Sequence, residues 1–565
     1  MSNTGYFTPW VNLIGEATPW AWRIAVLLFA LTLSMILARI LRTPQSARDR
    51  WSFWEVLLVL VGFGGLMILR VPSMATMGGS FDEDLWLAGA ITLKTDPRFW
   101  IAFDGTTSGP LTVYPLMLPY LWGGVANYGL SRLLTALFWG GNACLFFASL
   151  RHLVNHKIAA ITATSLFSFL GACNVADYVM FNGEHVPIFC MSLAFWMISR
   201  HAHSNSAPFW QCLIIGLLLG AAPFGKLQAG PLAFALGIFA VLKFRTGNAR
   251  SGLIIGAVLP LLGVLIYACQ EECLYEVWRL YVISTLKYAA STSGQPWIVR
   301  ALAFPSAIFN CIDSRLFFMV QVLVAIGGMV GLLETARRGL QIQWGLTFSF
   351  IWLLIAVMSI IQTGQFFHHY FLFLLTPLLL WNSLSWNEVV QRLPDVQQGI
   401  AAPWKARHAA YCCFLAAIMP VVPAVRFGHA SIPRGHFPLP LSWTDPFSDE
   451  IQRWATPQSY LVVWGHRPEI YVQTNLPSGT RYAYPHLMHV SWADADFHLQ
   501  LFLRDLKRHS QLIFVEVPAD PNSQIPVPPV ETIPQLAAEL ATRFHHVATV
   551  GECRIWQTRP APATD

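Results

Sequence analysis

Charge is what this chain has least of. Only 12% of its 565 residues are Asp, Glu, Lys or Arg, against 55% hydrophobic, and a soluble protein of this length needs far more charge to cover its surface. That excludes a soluble globular enzyme. Metal-ligand spacing is also missing: the 10 cysteines form no CxxC and no Cys/His pattern. Most lie inside apolar runs (Cys144, Cys173, Cys190, Cys212, Cys412, Cys413) and read as small buried hydrophobes. No basic, aromatic-interleaved patch accompanies the net charge of +6, so no nucleic-acid partner is expected. No internal repeat stands out, which weighs against transporters built from inverted repeats. Met1 to Trp20 has no basic n-region, and the first apolar run outlasts an h-region, so a cleavable signal is not expected.

What is present is a series of apolar runs, several of about 17 to 23 residues, long enough to cross a bilayer. The fold class expected is a polytopic α-helical membrane protein of about 11–13 spans with a C-terminal α/β domain. Ala21 to Leu41 is the first span, and Arg39, Arg42, Arg48 and Arg50 follow it. Basic residues favour the cytoplasmic side, so Trp54 to Val71 runs outward and the loop Pro72 to Gly109 emerges on the outer face. Within that loop "WLAGAITL" and "RFWIAF" are too short to span and are expected to lie on the membrane surface. Pro110 to Ala126 carries three prolines near its start and middle, which fits a short surface-lying or re-entrant helix. Further spans are expected at Arg132–Leu150, Ile158–Ala176, Val186–Ser199, Trp210–Ala222, Leu227–Lys243, Leu253–Ala268, Leu316–Leu333, Gly345–Gln362, Tyr370–Leu384 and Ala409–Val425. The expected membrane domain is 1–425. Residues 426–565, with "YLVVWG" and "LIFVEV" as buried strands, "ETIPQLAAELATRF" as an amphipathic helix and "HHVATV" and "CRIWQT" as closing strands, form the outer α/β domain.

The same charge logic collects polar residues on the outer side. "FDEDLW" sets Asp82, Glu83 and Asp84 together just past a span. The plainer account is a solvated loop; a carboxylate held partly desolvated there is also a plausible general base. "FNGEHVP" offers Glu184 and His185 at a turn, either as a simple connector or as groups that bind a sugar hydroxyl. Lys226 in "AAPFGKLQAGP" lies in a long apolar stretch, where an ammonium is costly without a partner. It either snorkels to headgroups or, at a helix break, meets a lipid-linked phosphate. His368, His369 and Tyr370 mark a span mouth; adjacent histidines with no third ligand nearby suit hydrogen bonding or phosphate contact better than zinc. The outer loop Glu271 to Arg315, with Lys287, Arg300 and Arg315, reads as a flexible connector or a lid that supplies a cation.

Taken in order, these segments resemble GT-C glycosyltransferases, in the branch typified by protein O-mannosyltransferases and the aminoarabinose transferase of lipid A. "FDEDLW" looks like the Asp-Glu signature of the first external loop. "DGTTSGPLTVYPLMLP" resembles the segment that follows, except that Ser108–Gly109 stands where His-Pro is common. "SRLLTALFWGG", "GAAPFGKLQAGP" and "FFHHYFLFLLTP" are similar to later family segments, and "VVWGHRPEIYVQTNLPSGTRY" to the start of the external domain. The resemblance implies inverting sugar transfer from a polyprenyl-phosphate donor, on the outer face of a bacterial cytoplasmic membrane, to a glycolipid, polysaccharide or protein acceptor. Asp82 would then be the general base, with Glu83 assisting. Lys226 and Arg132, with His369 and Tyr370, would meet the donor phosphate, and Glu184, His185 and Asp84 the sugar or acceptor. No cofactor or resident metal is required, although the acids could recruit a divalent cation. The rival readings are a transporter or flippase, which would bury charges mid-span, and a non-catalytic envelope assembly protein.

Overall fold

The computed structural model describes residues 19–43, 50–74, 76–78, 80–173, 175–291, 295–310, 315–337, 344–364, 366–392, 439–440, 445–490, 493–518 and 527–560. The expected span Ala409–Val425, the basic pair Lys405 and Arg407, and the proposed domain boundary at 425/426 lie outside them.

Among the described residues five helices are long and apolar enough to cross a membrane: Ala21–Arg42, Phe53–Met74, Tyr128–Leu153, Gly247–Gln270 and Gly345–Thr363. Helices His156–Ala172, His185–Ser199, Phe209–Ala221, Gly230–Lys243, Arg315–Arg337 and Leu372–Arg392 complete the bundle. Their order follows the apolar runs and most bounds agree to within a few residues, but Gly247–Gln270 starts six residues before the expected Leu253 and Leu372–Arg392 ends eight beyond the expected Leu384. Helices Phe209–Ala221 and Gly247–Gln270 pack almost backbone to backbone. A Cβ on Gly216 would stand 2.2 Å from the Leu253 carbonyl oxygen, and one on Gly256 2.1 Å from that of Leu213. Small residues four apart on both partners permit this approach, the usual device where lipid removes the hydrophobic drive between helices.

We label α1 the helix Phe81–Thr95. It starts at Ser80, whose extended backbone suits an N-cap, and its first turn holds the three acids, whose charge favours a helix N-terminus. The expectation that this segment lies on the membrane surface is corrected by the structure: Glu83 to Leu93 are all buried. A helix apolar on every side needs cover on every side. Here the bundle covers one side, and on another Ser478, from the C-terminal region, donates its backbone N–H to Thr92 Oγ1 at 3.0 Å. "RFWIAF", unlike α1, is a turn and no helix. Pro97 precedes a tight turn in which Trp100 takes a positive φ of 66° and donates its N–H to the Phe103 carbonyl at 2.7 Å. Arg481 seals this turn, donating to the Trp100 carbonyl at 2.9 Å while it grips Asp505 at 2.8 Å.

Pro110–Val113 is one short α-turn continued by a 3-10 helix over Tyr114–Trp122, and its prolines keep it from becoming a spanning α-helix. The segment 271–315 is mostly helical where described. A π-helical turn at Val277–Ile283 leads into Ser284–Ser291, and Trp297–Asn310 follows. Buried Val277, Leu280 and Tyr281 repeat at helical spacing and explain the docking. Arg279 pairs with Asp494 at 2.5 Å and Glu276 with Arg504 at 3.2 Å.

The C-terminal region forms a four-stranded sheet from β1 (Tyr460–Trp464), β2 (Leu512–Glu516), β3 (Phe544–Val550) and β4 (Cys553–Thr558), in the order β1-β2-β4-β3. β1 and β2 are parallel, with Val462 opposite Phe514, and helices Glu469–Thr474 and Ala495–Leu506 lie in the crossover. β3 and β4 form a hairpin turned at Gly551, whose φ of 60° suits a tight β-hairpin. Both expected buried strands and both closing strands are present.

Candidate active site

Successive residues on a helix point about 100° apart, so the three acids at the start of α1 face three environments. Glu83 points inward and its side chain is 0% exposed. Arg132 meets it at 2.8 and 3.1 Å, and Ser131 donates its hydroxyl to the same carboxylate. Arg132 also donates to the carbonyls of Ser73 and Gly78, both at 2.7 Å. Its guanidinium is thereby occupied and fully enclosed, so the structure does not bring it to open space where a donor phosphate could reach it. Asp84 is buried as well and accepts the Tyr128 hydroxyl at 2.6 Å. Burial, reinforced by nearby Glu469, pushes its pKa well above the usual carboxylate range. Only Asp82 of the three keeps open surface, with 28% of its side chain exposed.

Asp82 faces His369, whose Nδ1 lies 3.9 Å from it and 3.4 Å from Asp177. His368 Nδ1 is 3.9 Å from the other oxygen of Asp177. Burial works against an imidazolium at His369, but Glu184, Asp177 and Asp82 outweigh it and the net shift is upward. At Asp177 burial pushes the carboxyl up, but the hydrogen bond and charge of His369, with His368 beside it, outweigh this and hold it below the ordinary value. Behind this trio Lys226 pairs with Glu184 at 2.5 Å. The ammonium also sits 5.1 Å from the centre of the Tyr370 ring, a cation–π distance, and Tyr370 shares its hydroxyl with Tyr288 at 3.1 Å. The second oxygen of Glu184 is buried with no hydrogen-bond partner among the described residues.

The Lys226 turn also accounts for Ser108–Gly109. The Gly109 N–H donates to the Gly225 carbonyl at 2.8 Å, and a Cβ on Gly109 would fall 2.2 Å from the Phe224 carbonyl oxygen. Only glycine allows this contact. His185 is drawn inward: the Asn182 N–H donates to its Nδ1 at 2.8 Å, and its ring packs edge-on against Trp139. It stands behind the cluster as a strut. Among the described residues no group of three or more His, Cys, Asp or Glu is set to hold a metal ion.

An acid at a helix mouth, a lysine beside a second acid and two tyrosines thus converge at one end of a helix bundle capped by a small α/β sheet. The same overall arrangement occurs in ArnT from Cupriavidus metallidurans bound to undecaprenyl phosphate, with 89% of this chain and 97% of that chain aligned, a TM-score of 0.52 and 12% identity. The chain has the GT-C fold. The apo state of the same ArnT aligns more loosely, covering 89% of this chain and 97% of its own at a TM-score of 0.44 and 13% identity. The oligosaccharyltransferase of Archaeoglobus fulgidus aligns over 82% of this chain and 70% of its own, at 0.40 and 13% identity. No family model matches the sequence, and no curated protein matches it.

Within this GT-C fold, sequence reasoning overlooked Asp177, Tyr288 and two residues of the C-terminal region. His466 stacks on Phe81 at 4.0 Å, next to Asp82 in the chain, and Tyr484 packs edge-on against the same Phe81 ring. Asp177 carried the signal used for Asp82, an acid just past an apolar run. His466 and Tyr484 carried none, because their neighbourhood depends on how two distant parts of the chain dock.

Proposed function

We propose that the protein is a membrane glycosyltransferase that moves a sugar from a polyprenyl-phosphate donor to an acceptor hydroxyl at the outer face of the cytoplasmic membrane. The observation that carries this reading is the placement of Asp82, the one open carboxylate of three, beside the Lys226–Glu184 pair at the mouth of a GT-C bundle. That ArnT binds undecaprenyl phosphate in the same fold agrees with it.

In this reading Asp82 accepts the acceptor hydroxyl proton as its oxygen attacks the anomeric carbon. The bond from that carbon to the phosphate oxygen breaks on the opposite face, so configuration inverts. The departing polyprenyl phosphate gains charge at its bridging oxygen, and Lys226 answers it once the phosphate has replaced Glu184 as its partner. Glu184, released, is placed to accept a hydrogen bond from the sugar. His369, whose pKa is raised by Glu184, Asp177 and Asp82 against its burial, adds positive charge beside the phosphate when protonated and orients Asp82. Glu83 and Arg132 position α1 rather than touch substrate, and Asp84 and His185 stand behind the site. No step is routed through a divalent cation. The acceptor class, whether glycolipid, polysaccharide or protein, is set by surfaces beyond these residues.

The test is sugar transfer by purified protein from a radiolabelled polyprenyl-phosphate sugar to an extract of envelope glycolipids and polysaccharides. Transfer that disappears in Asp82→Asn, while the variant stays folded, supports the assignment. Undiminished transfer by that variant would overturn the assigned base, and vectorial solute flux without any transfer would favour a transporter.

A further inference from the structure

One cavity among the described residues takes no part in the reading above. Its volume is about 970 Å³, between helices His185–Ser199, Gly230–Lys243, Trp344–Thr363 and Leu372–Arg392. Each of these helices has one end at the candidate active site, and the groove runs along them to their other ends, from Pro231 in the first turn of Gly230–Lys243 to Lys243 in its last. Gly230–Lys243 begins just after Lys226 and runs 14 residues, about 21 Å at helical rise, before its last residue reaches the groove's rim.

The groove is segregated along its length. Its walls are apolar, with Phe195, Phe234, Ile238, Leu242 and Ile351 among them. It opens sideways: Phe234 is 71% exposed, Leu242 59% and Ile351 47%, on helices whose outer faces meet lipid. Its polar lining gathers at the helix ends, where among the described residues His152, His203, Lys243 and Arg245 stand with one acid, Glu388. The rim is built rather than loose. Lys243 Nζ donates to the Ala202 carbonyl at 3.0 Å, and the Arg245 N–H to that of Asn205 at 2.8 Å. Basic loops at this end are expected of any membrane protein. A deep, laterally open apolar groove that ends on those same basic residues is not. Greasy length below and net positive charge above are the two halves of an anionic amphiphile's outline.

We propose that this groove is a binding site for an anionic glycerophospholipid of the leaflet opposite the active site, with an acyl chain along Phe234, Ile238 and Ile351 and its phosphate-bearing headgroup at Lys243 and Arg245. It is separate from the donor site, because a headgroup seated there stands the length of a helix away from Lys226.

The experiment is native mass spectrometry of the full-length, delipidated protein titrated with phosphatidylglycerol or phosphatidylcholine of the same acyl chains. Phosphatidylglycerol is expected to bind roughly thirtyfold more tightly, the weight of two basic side chains on an anionic headgroup. The double variant Lys243→Gln, Arg245→Gln should bring the two lipids near parity, and its melting temperature reports that it folds. Ala235→Trp, which fills the groove from its wall, should weaken both lipids. Equal binding of the two lipids by the wild type, an unchanged preference in the double variant, or displacement of phosphatidylglycerol by an equimolar polyprenyl phosphate would each overturn the proposal.

Discussion

Two acid–base pairs lie at the same end of this bundle, and they differ in how fully their hydrogen-bonding capacity is used. Glu83–Arg132 has no exposed side-chain surface, with every partner a group of the protein itself. Glu184–Lys226 is buried almost as deeply, yet one carboxylate oxygen has no hydrogen-bond partner among the described residues and the ammonium rests on an aromatic face. The first pair is complete. The second has capacity left over, and a substrate can claim it. Under the proposed reading, this unspent hydrogen-bonding capacity is what separates the pair that meets substrate from the pair that only holds α1.

The sharpest test of this contrast begins with the three acids. Asp82→Asn should cut turnover by about 10²- to 10⁴-fold, the range for a lost general base, with the melting temperature unchanged. Arg132→Ala should instead destabilise the protein by about 3–5 kcal/mol, because Glu83 would be left buried and alone. Thermal unfolding in detergent checks this, and a stable but inactive Arg132→Ala would move Arg132 into the reaction. At the second pair, Lys226→Met should raise the donor KM by roughly tenfold or more, whereas Glu184→Gln, which frees Lys226, should lower it; parallel losses in both variants would show that the pair acts as a strut.

The pH response follows from His369. Its folded pKa lies above the ordinary value of about 6.5. The contribution of its protonated form is therefore complete below that value and fades as pH rises through the raised folded pKa. Donor binding measured across pH should decline on that alkaline side in the wild type and flatten in His369→Gln. The smallest effect is expected at Tyr128→Phe. Losing the hydrogen bond to Asp84 should cost about 1 kcal/mol of stability and leave transfer intact.

Much of the bundle was legible in the sequence because hydropathy is a local property. Helices Tyr128–Leu153, His185–Ser199 and Gly345–Thr363 each fall where an apolar run lies, and the strand pair Leu461/Ile513 was readable as two short β-branched runs. What failed was any inference that needed two distant segments at once. α1 reads as a surface segment because nothing near it in sequence announces that Ser478 will close over it. Arg132 was assigned to the phosphate because its charge is visible in a string, while its partner 49 positions earlier is not. Asp177 is different: its signal was present and local, and it passed unused beside the more conspicuous triple acid.

The burial of α1 has a consequence for how this protein can change over generations. The helix that presents Asp82 is held on one side by the membrane bundle through Arg132 and Tyr128. On the other it is held by Ser478, His466 and Tyr484 of the C-terminal region. Neither half owns it. A substitution in the C-terminal region that shifts His466 or Ser478 therefore reaches the carboxylate as directly as one inside the bundle, and the two halves are bound to diverge together. Exchanging the C-terminal region for that of a distant relative should fail unless α1 travels with it.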